Sequence, residues 1–425
     1  MGSSFPQQRW RNSCAGLRSP RRGTERTLRR RGPGGGIGLA GGVNILQATP
    51  VLLRARQSIT AVFFINGTLI GCWASAIPQI KQRLALDEGD LGLALLCFAL
   101  GSILAMLVGG PRIDRFGSRL VVGISALGFC LALPLVLVAG SLSDLLLVAV
   151  VIGFANGLMD VSMNAQGVTV ERGLERPTMS SLHAFFSIGG MAGAGAAALT
   201  YALGGGLQHL LPGATLVLLP AAMVALQPLL TDARGKESKA RLIALPPRPL
   251  WLVAAFAFIA FICEGAMFDW SAVYLREVMG SGASIAALGF GVFSAAMAAG
   301  RLLGDRVVAR HGRVRVLRVS AVAAGLGYAV ALSASAVPLA LAGYALIGLG
   351  VANIVPILFS LGGSRRDIGH GSGIAAVATA GYSGALLGPA WVGFLADAAG
   401  LRLSLALTAL FLVLLVVFGA RARSA

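Results

Sequence analysis

One recurrence constrains this chain more than any other feature: from Ile59 onward, apolar stretches of roughly twenty residues follow one another, separated by short polar connections. Each is long enough to cross a bilayer once as a helix. Twelve are counted, starting near Ile59, Leu91, Arg119, Leu145, Ser180, Pro212, Leu250, Ile285, Val316, Pro338, Gly371 and Arg402. A spanning segment must close its own backbone hydrogen bonds, and the alternating pattern of a lipid-facing barrel strand is missing. The expected fold is therefore all-α, a polytopic membrane protein with twelve transmembrane helices. With 56% hydrophobic and 12% charged residues and a mean hydropathy of +0.79, the chain has too few polar side chains to coat a water-soluble globule of 425 residues.

The net charge of +18 falls in short clusters between the apolar segments. It does not form a basic groove with interleaved aromatics, so it is topogenic and no nucleic acid is expected as partner. Placing both termini in the cytoplasm puts 31 Lys and Arg inside and leaves Lys81, Arg83, Arg276 and Arg402 outside. The expected location is a prokaryotic-type inner (plasma) membrane. The longest inner connection, residues 231–248, carries Arg234, Lys236, Lys239 and Arg241 and separates residues 58–230 from residues 249–420, six spans on each side, with a short cytoplasmic tail at 421–425. Residues 1–57 differ in kind, with eleven Arg and one acidic residue, Glu25. Three readings of them stand side by side: a disordered cytoplasmic tail, a start placed too early for a protein beginning near Val51, and an Arg-rich transit peptide. Gly36, Gly38 and Gly41 in this stretch fit a dinucleotide-binding pattern, but no strand precedes them and the chemistry lacks its βαβ setting. No nucleotide-binding loop and no metal-ligand spacing occurs, so no cofactor is expected. Cys72, Cys97, Cys130 and Cys263 lie within apolar segments and read as small hydrophobes.

The two halves echo each other. After the second span stands Gly110-Pro-Arg-Ile-Asp114-Arg115-Phe-Gly117-Ser-Arg119, and after the eighth Gly300-Arg301-Leu-Leu-Gly304-Asp305-Arg306, followed by Arg310 and Gly312. Gly157-Leu-Met-Asp160 can likewise be laid on Gly350-Val-Ala-Asn353. Paired repeats of this kind are a signature of transporters.

The Gly-x-x-x-Asp-Arg-x-Gly-x-Arg loop with its degraded second copy resembles the signature of the major facilitator superfamily, over residues 59 to about 419. The resemblance implies two pseudo-symmetric six-helix bundles that rock about a central cavity. It makes Gly110, Asp114, Arg115, Gly117 and Arg119 a conformational latch at the cytoplasmic face, mirrored by Asp305 and Arg306. Within the superfamily, Asn156-Gly-Leu-Met-Asp160-Val-Ser-Met-Asn164 and Glu264-Gly-Ala-Met-Phe-Asp269-Trp270 resemble the fucose-permease-like branch, whose coupling carboxylate in helix four Asp160 matches. A second carboxylate expected in helix one is absent, and Asn66, Ala74 and Gln79 stand there instead. The fifth helix lacks the Pro-containing glycine motif of drug antiporters.

Three carboxylates fall well inside apolar spans: Asp160, Glu264 and Asp269. A charge at the bilayer centre costs about 2.5–3.5 kcal/mol on insertion scales, so such groups face a wet cavity or a partner. Asn156, Asp160 and Asn164 recur every four residues and form one polar stripe on an apolar helix. A carboxyl there can alternate between proton and substrate, and the three acids are the proton-coupling candidates, against structural hydrogen bonding for Asp160 and interfacial anchoring for Asp269 beside Trp270. His183 is a weaker relay candidate, against a solvated or capping role. Asn66, Trp73, Asn156, Asn164, Asn353, Tyr382 and Ser383 are the candidates for lining a substrate cavity, against interhelical hydrogen bonding. Gly67-x-x-x-Gly71, Gly189-x-x-x-Gly193 and Gly384-x-x-x-Gly388 are expected to let helices pack closely. The expected function is secondary active transport of a small polar solute such as a sugar or organic metabolite, coupled to protons, by a monomer embedded in lipid. Efflux of drugs or metabolites and a non-transporting sensor or scaffold are the rivals; no enzymatic constellation is evident.

Overall fold

The computed structural model describes residues 45–231, 245–364 and 370–423. The tail readings for residues 1–44, including the glycine pattern, and the linker residues 232–244 with Arg234, Lys236, Lys239 and Arg241 lie outside the described residues. The elements are α1 (Ile45–Leu84), α2 (Glu88–Phe116), α3 (Ser118–Ala132), α4 (Leu142–Leu174), α5 (Met179–Ala202), α6 (Leu207–Ala225), α7 (Trp251–Val273), α8 (Ala283–His311), α9 (Arg313–Ser333), α10 (Val337–Val351), α11 (Ile354–Gly363), α12 (His370–Ala399) and α13 (Leu401–Phe418). Among the described residues eleven spans are long and apolar enough to cross a membrane, α10 and α11 together forming one of them. The 30-residue α12 makes the twelfth. The fold is polytopic and all-α.

The boundaries follow local chemistry. Asp87 caps α2 by accepting the Asp90 N–H at 2.6 Å, and Ser141 caps α4 by accepting the Asp144 N–H at 3.3 Å. Gly117 and Gly312, at φ +85° and +81°, end α2 and α8 and start α3 and α9 in a conformation that a side chain would strain. One boundary corrects the sequence reading. Helix α1 begins at Ile45, so residues 45–57 are not tail but the first turns of the first helix. Arg54 and Arg56 and the interior Pro50 break the apolar run, yet Ala55 is buried, the Ser58 hydroxyl donates to the Ala225 carbonyl of α6, and Leu52 packs at Gly173 of α4. The tenth span departs from a single helix at Ala352–Asn353, where Asn353 Nδ2 donates to Gly300 O of α8 at 3.2 Å.

In lipid, helices gain little from burying apolar surface, and small residues at contacts supply the attraction by letting backbones approach. Helices α1 and α5 meet this way. A Cβ at Gly67 would strike the Phe186 carbonyl, one at Gly71 the Gly190 carbonyl, one at Gly189 the Phe64 carbonyl and one at Gly193 the Thr68 carbonyl. Gly384 stands likewise against Phe258 of α7. Two tyrosine hydroxyls that the packing buries are satisfied by backbone, Tyr328 donating to Cys263 O at 2.7 Å and Tyr344 to Ser271 O at 3.0 Å, whereas the indole N–H groups of Trp73 and Trp270 have no partner among the described residues. Leu131, Leu147, Leu216, Val319 and Leu410 face outward, as a lipid-facing surface requires.

Contacts between the first six spans and the last six concentrate on two helix pairs. Helices α5 and α8 touch along their length, from Ser284 Oγ donating to Ala198 O at 2.8 Å, through Ser294 Oγ to Ser187 O at 3.0 Å, to Ser180 Oγ and Asp305 at 3.3 Å. Helices α2 and α12 meet at the end of the molecule where α1 turns into α2, with Gly92 against Gly393 and Gly89 beside Phe394. At that same end Lys81 Nζ binds Glu277 at 2.7 Å and Glu88 at 3.1 Å, joining α1 and α2 to the π-turn Tyr274–Val278 that follows α7.

Candidate functional site

Farther along α2 and α12, residues of both helices line a central cavity of about 280 Å³. Its wall takes residues from both halves: Asn66 of α1, Phe98, Ser102 and Met106 of α2, Asn156 and Asp160 of α4, Phe186 of α5, Phe261, Glu264, Phe268 and Asp269 of α7, and Tyr382 of α12. All three intramembrane carboxylates therefore meet in one place. Helical spacing explains the set. Asn156 and Asp160 are one turn apart, as are Phe98 and Ser102, and Phe261, Glu264 and Phe268 follow the three-and-four rhythm of a single face.

The carboxylates have different surroundings. Glu264 is ion-paired: its Oε1 accepts from Arg301 Nη2 of α8 at 3.1 Å, with only 15% and 14% of the two side chains exposed. Arg301 also reaches across the halves, donating to Ser187 Oγ of α5 at 2.9 Å and to His183 O at 3.5 Å. Asp160 Oδ1 accepts from the Asn164 amide at 3.2 Å. Among the described residues neither Asp160 nor Asp269 has a cationic partner, and Asp269 accepts no hydrogen bond. Asn66 Nδ2 donates to Asn156 Oδ1 at 3.3 Å, which ties α1 to α4 at the cavity wall. Tyr382 stands edge-on to Phe261 with ring centroids 5.6 Å apart, and aromatic rings share the rest of the lining with aliphatic residues such as Ile70, Leu95 and Leu386.

Of the residues expected to line the cavity, Asn66, Asn156 and Tyr382 do so and four do not. Trp73 stacks on Phe98 at 5.2 Å behind the wall. Asn164 spends its amide on Asp160, Asn353 spends its amide on Gly300, and Ser383 Oγ donates to Thr379 O at 2.8 Å within its own helix. Asn164 and Ser383 thus bond within their own helices and Asn353 bonds a neighbouring helix, instead of facing the cavity. His183 packs edge-on against Phe63 at 5.3 Å and contributes its carbonyl to Arg301. Sequence reasoning missed Phe98, Ser102, Met106, Phe186, Phe261 and Phe268, which an apolar span does not distinguish from lipid-facing residues. It also grouped Arg301 with the loop that follows, although a lone arginine within an apolar span is the matching signal for Glu264.

The residues expected to form the latch in the first half occupy the end where α2 turns into α3. Arg115 lies over the Phe116 ring at 5.0 Å, and Arg119 binds Gln227 O at 2.9 Å and Thr231 Oγ1 at 3.4 Å within its own half. Gly110 lies beside Pro111 near the end of α2, Asp114 follows one turn later, and Gly117 closes the helix. Asp305 reaches Ser180 across the halves, whereas Arg306 is exposed.

Twelve helical spans around a central, charge-bearing cavity shared by two halves define a membrane transporter. The Major Facilitator Superfamily model matches residues 59–367. An uncharacterized MFS-type transporter of Yersinia pestis is 36% identical over 377 residues, covering 88% of this chain and 97% of that one. Membrane protein MosC of Rhizobium meliloti is 34% identical over 388 residues, covering 90% and 91%. Among solved structures, the nucleoside transporter NupG superposes with a TM-score of 0.67 at 14% identity, covering 87% of this chain and 99% of that one. A bacterial homolog of the human lysosomal transporter Spinster, inward-facing and occupied, does so with a TM-score of 0.65 at 17% identity, covering 88% and 97%. The chain belongs to the major facilitator superfamily and is a multi-pass membrane transporter.

Proposed function

We propose that this transporter moves a small polar solute by alternating access and couples the movement to protons through Asp160. One observation carries the reading: Asp160 and Asp269 face the same cavity from opposite halves without a cationic partner among the described residues, while the charge of Glu264 is already met by Arg301. A carboxyl without a fixed counter-charge in such a wall is stable when it holds either a proton or a polar ligand, and that exclusive choice is what coupling requires. Asp269 is the second coupling candidate, and Glu264 acts with Arg301 as a fixed ion pair. The moving bodies are the two six-span bundles, α1 to α6 and α7 to α13. With both termini in the cytoplasm of a bacterial inner membrane, the Lys81–Glu277 contact lies outside and the structure is the state closed to that side.

The cavity also narrows the solute. Asn66, Asn156 and the carboxylates offer hydrogen bonds to hydroxyl or amine groups, and Phe98, Phe186, Phe261 and Phe268 offer apolar faces. Two unmatched carboxylates disfavour anions. A hydroxyl-rich or cationic solute fits, and the fucose-permease-like character of α4 and α7 agrees with the former. The aromatic share of the wall favours a second reading, export of amphipathic cations. Proton flux in dye-loaded proteoliposomes, challenged with sugars, organic acids and cationic drugs, tests both. Substrate-dependent flux that Asp160→Asn abolishes is expected. Flux retained by Asp160→Asn would remove Asp160 from the mechanism.

A further inference from the structure

A second, larger concavity of about 840 Å³ opens where α8 turns into α9, between the start of α9, the end of α11 and the end of α13. His311, Arg313, Arg315 and Arg318 line it together with Val319 and Val322. The internal repeat supplies a control for this pocket. Gly117 and Gly312 start α3 and α9 in the same backbone conformation, so positions 195 apart correspond. The equivalent hollow between α3 and α6 is lined by Phe116, Leu120, Gly123, Ile124 and Leu127. At the matching places the second half has His311, Arg315, Arg318, Val319 and Val322. The apolar wall is kept, while an aromatic ring, a leucine and a glycine become a histidine and two arginines. The first hollow has one arginine, Arg119, and it is spent on Gln227 and Thr231.

In the second hollow two of the four basic residues, His311 and Arg318, have a partner among the described residues and two do not. Arg318 Nε donates to Val416 O at 2.9 Å, but Arg313 and Arg315 form no hydrogen bond or ion pair with any described residue. The first turn of α9 holds no acidic residue, so these arginines crowd the positive end of a helix. Such a cluster is stable with an anion that carries several acceptor oxygens. Beyond the pocket, Val319, Val322 and Leu326 continue along one face of α9 and are 61%, 42% and 56% exposed, an apolar track leading away from the cations. The pocket lies at a helix-to-helix turn, at the level where spans leave the hydrocarbon.

We propose that this pocket holds the phosphodiester headgroup of an anionic phospholipid, whose acyl chains lie on the Val319, Val322 and Leu326 track. Arg313 and Arg315 would take the phosphate oxygens in fork geometry and Arg318 would border them. The site is separate from the transport cavity and does not depend on how transport is coupled.

The test uses the full chain, delipidated in detergent, with bound lipid counted by native mass spectrometry during titration with phosphatidylglycerol or phosphatidylcholine. At least a tenfold preference for phosphatidylglycerol is expected, and Arg313→Gln/Arg315→Gln/Arg318→Gln should weaken its binding by about a hundredfold. Arg313→Lys/Arg315→Lys/Arg318→Lys should keep the preference, as should the reference variant Arg54→Gln/Arg56→Gln. If the triple Gln variant aggregates, Arg315→Leu, which installs the first-half residue, should give a measurable loss in a folded protein. Unchanged preference in the Gln or Leu variants would overturn the site. Displacement by millimolar inorganic phosphate as complete as that by short-chain phosphatidylglycerol would also overturn it, in favour of a free-phosphate site.

Discussion

The ion pair between Glu264 and Arg301 is the most exacting place to test the energetics of this interior. Its 3.1 Å separation and side chains 15% and 14% exposed put it in a low-dielectric setting, where removing one partner leaves a charge stranded. The two single variants should differ. In Arg301→Met, Glu264 can take up a proton; from an ordinary carboxyl near pH 4.3 this costs about 3.7 kcal/mol at pH 7, which caps that part of the loss. In Glu264→Leu, Arg301 has no such escape, retains only Ser187 Oγ and His183 O, and should lose about 3–5 kcal/mol. The double variant Glu264→Leu/Arg301→Met removes both charges together and should return to within about 1 kcal/mol of wild type, or exceed it. Unfolding by SDS titration in mixed micelles reads these values. Substrate-driven proton flux in proteoliposomes should remain impaired in the double variant, because Glu264 lines the cavity whether or not the fold needs it. A Glu264→Leu protein within about 1 kcal/mol of wild type would refute the reasoning, since it would place the pair in an environment as forgiving as a solvated surface.

Lys81→Gln should release the contact that joins α1 to Glu277, a pair whose lysine side chain is only 9% exposed. The expected result is about a tenfold shift toward the alternative opening, read as faster labelling of a Ser102→Cys reporter by an impermeant thiol reagent. Unchanged labelling would mean that the glycine contact of α2 with α12 alone holds that end. Gly71→Leu should abolish accumulation of folded protein in the membrane, because the new side chain would meet the Gly190 backbone, whereas Gly195→Ala on the same partner helix has open space and should be neutral in fluorescence-detected size exclusion.

The spans were legible because lipid imposes a length and a polarity that local sequence cannot evade, and the glycine pairs on α1 and α5 were legible because close approach tolerates nothing larger. The start of α1 was misread for the converse reason. Arg54 and Arg56 look like the end of an apolar run, yet at a helix terminus near the interface long basic side chains reach water while the backbone continues. At the site, Asn66, Asn156, Asp160, Glu264, Asp269 and Tyr382 were found because a polar group stands out in an apolar segment. The phenylalanines that complete the cavity do not stand out, and only packing distinguishes a ring facing solute from a ring facing lipid. Asn164 shows the limit of periodicity: spacing placed it one turn from Asp160, and at that distance its amide serves the Asp160 carbonyl and carboxylate before any solute.

The repeat itself carried more information than its first alignment extracted. Laying Asp305 on Asp114 matches residue types, but the helix-ending glycines fix the true register: Asp114 lies three residues before Gly117 and Asp305 seven before Gly312. The difference of four is about one helical turn, so Asp305 sits one turn deeper along α8 than Asp114 along α2. From that depth it faces the start of α5 and accepts from Ser180, a contact between halves. Arg119, by contrast, ties α3 to the end of α6 within one half. The second copy of the loop has therefore moved its acid from the turn onto the α5–α8 contact and filled the turn with arginines. The two copies thus differ in where the acid stands, while Arg315 and Arg318 keep the glycine-fixed register of Leu120 and Gly123.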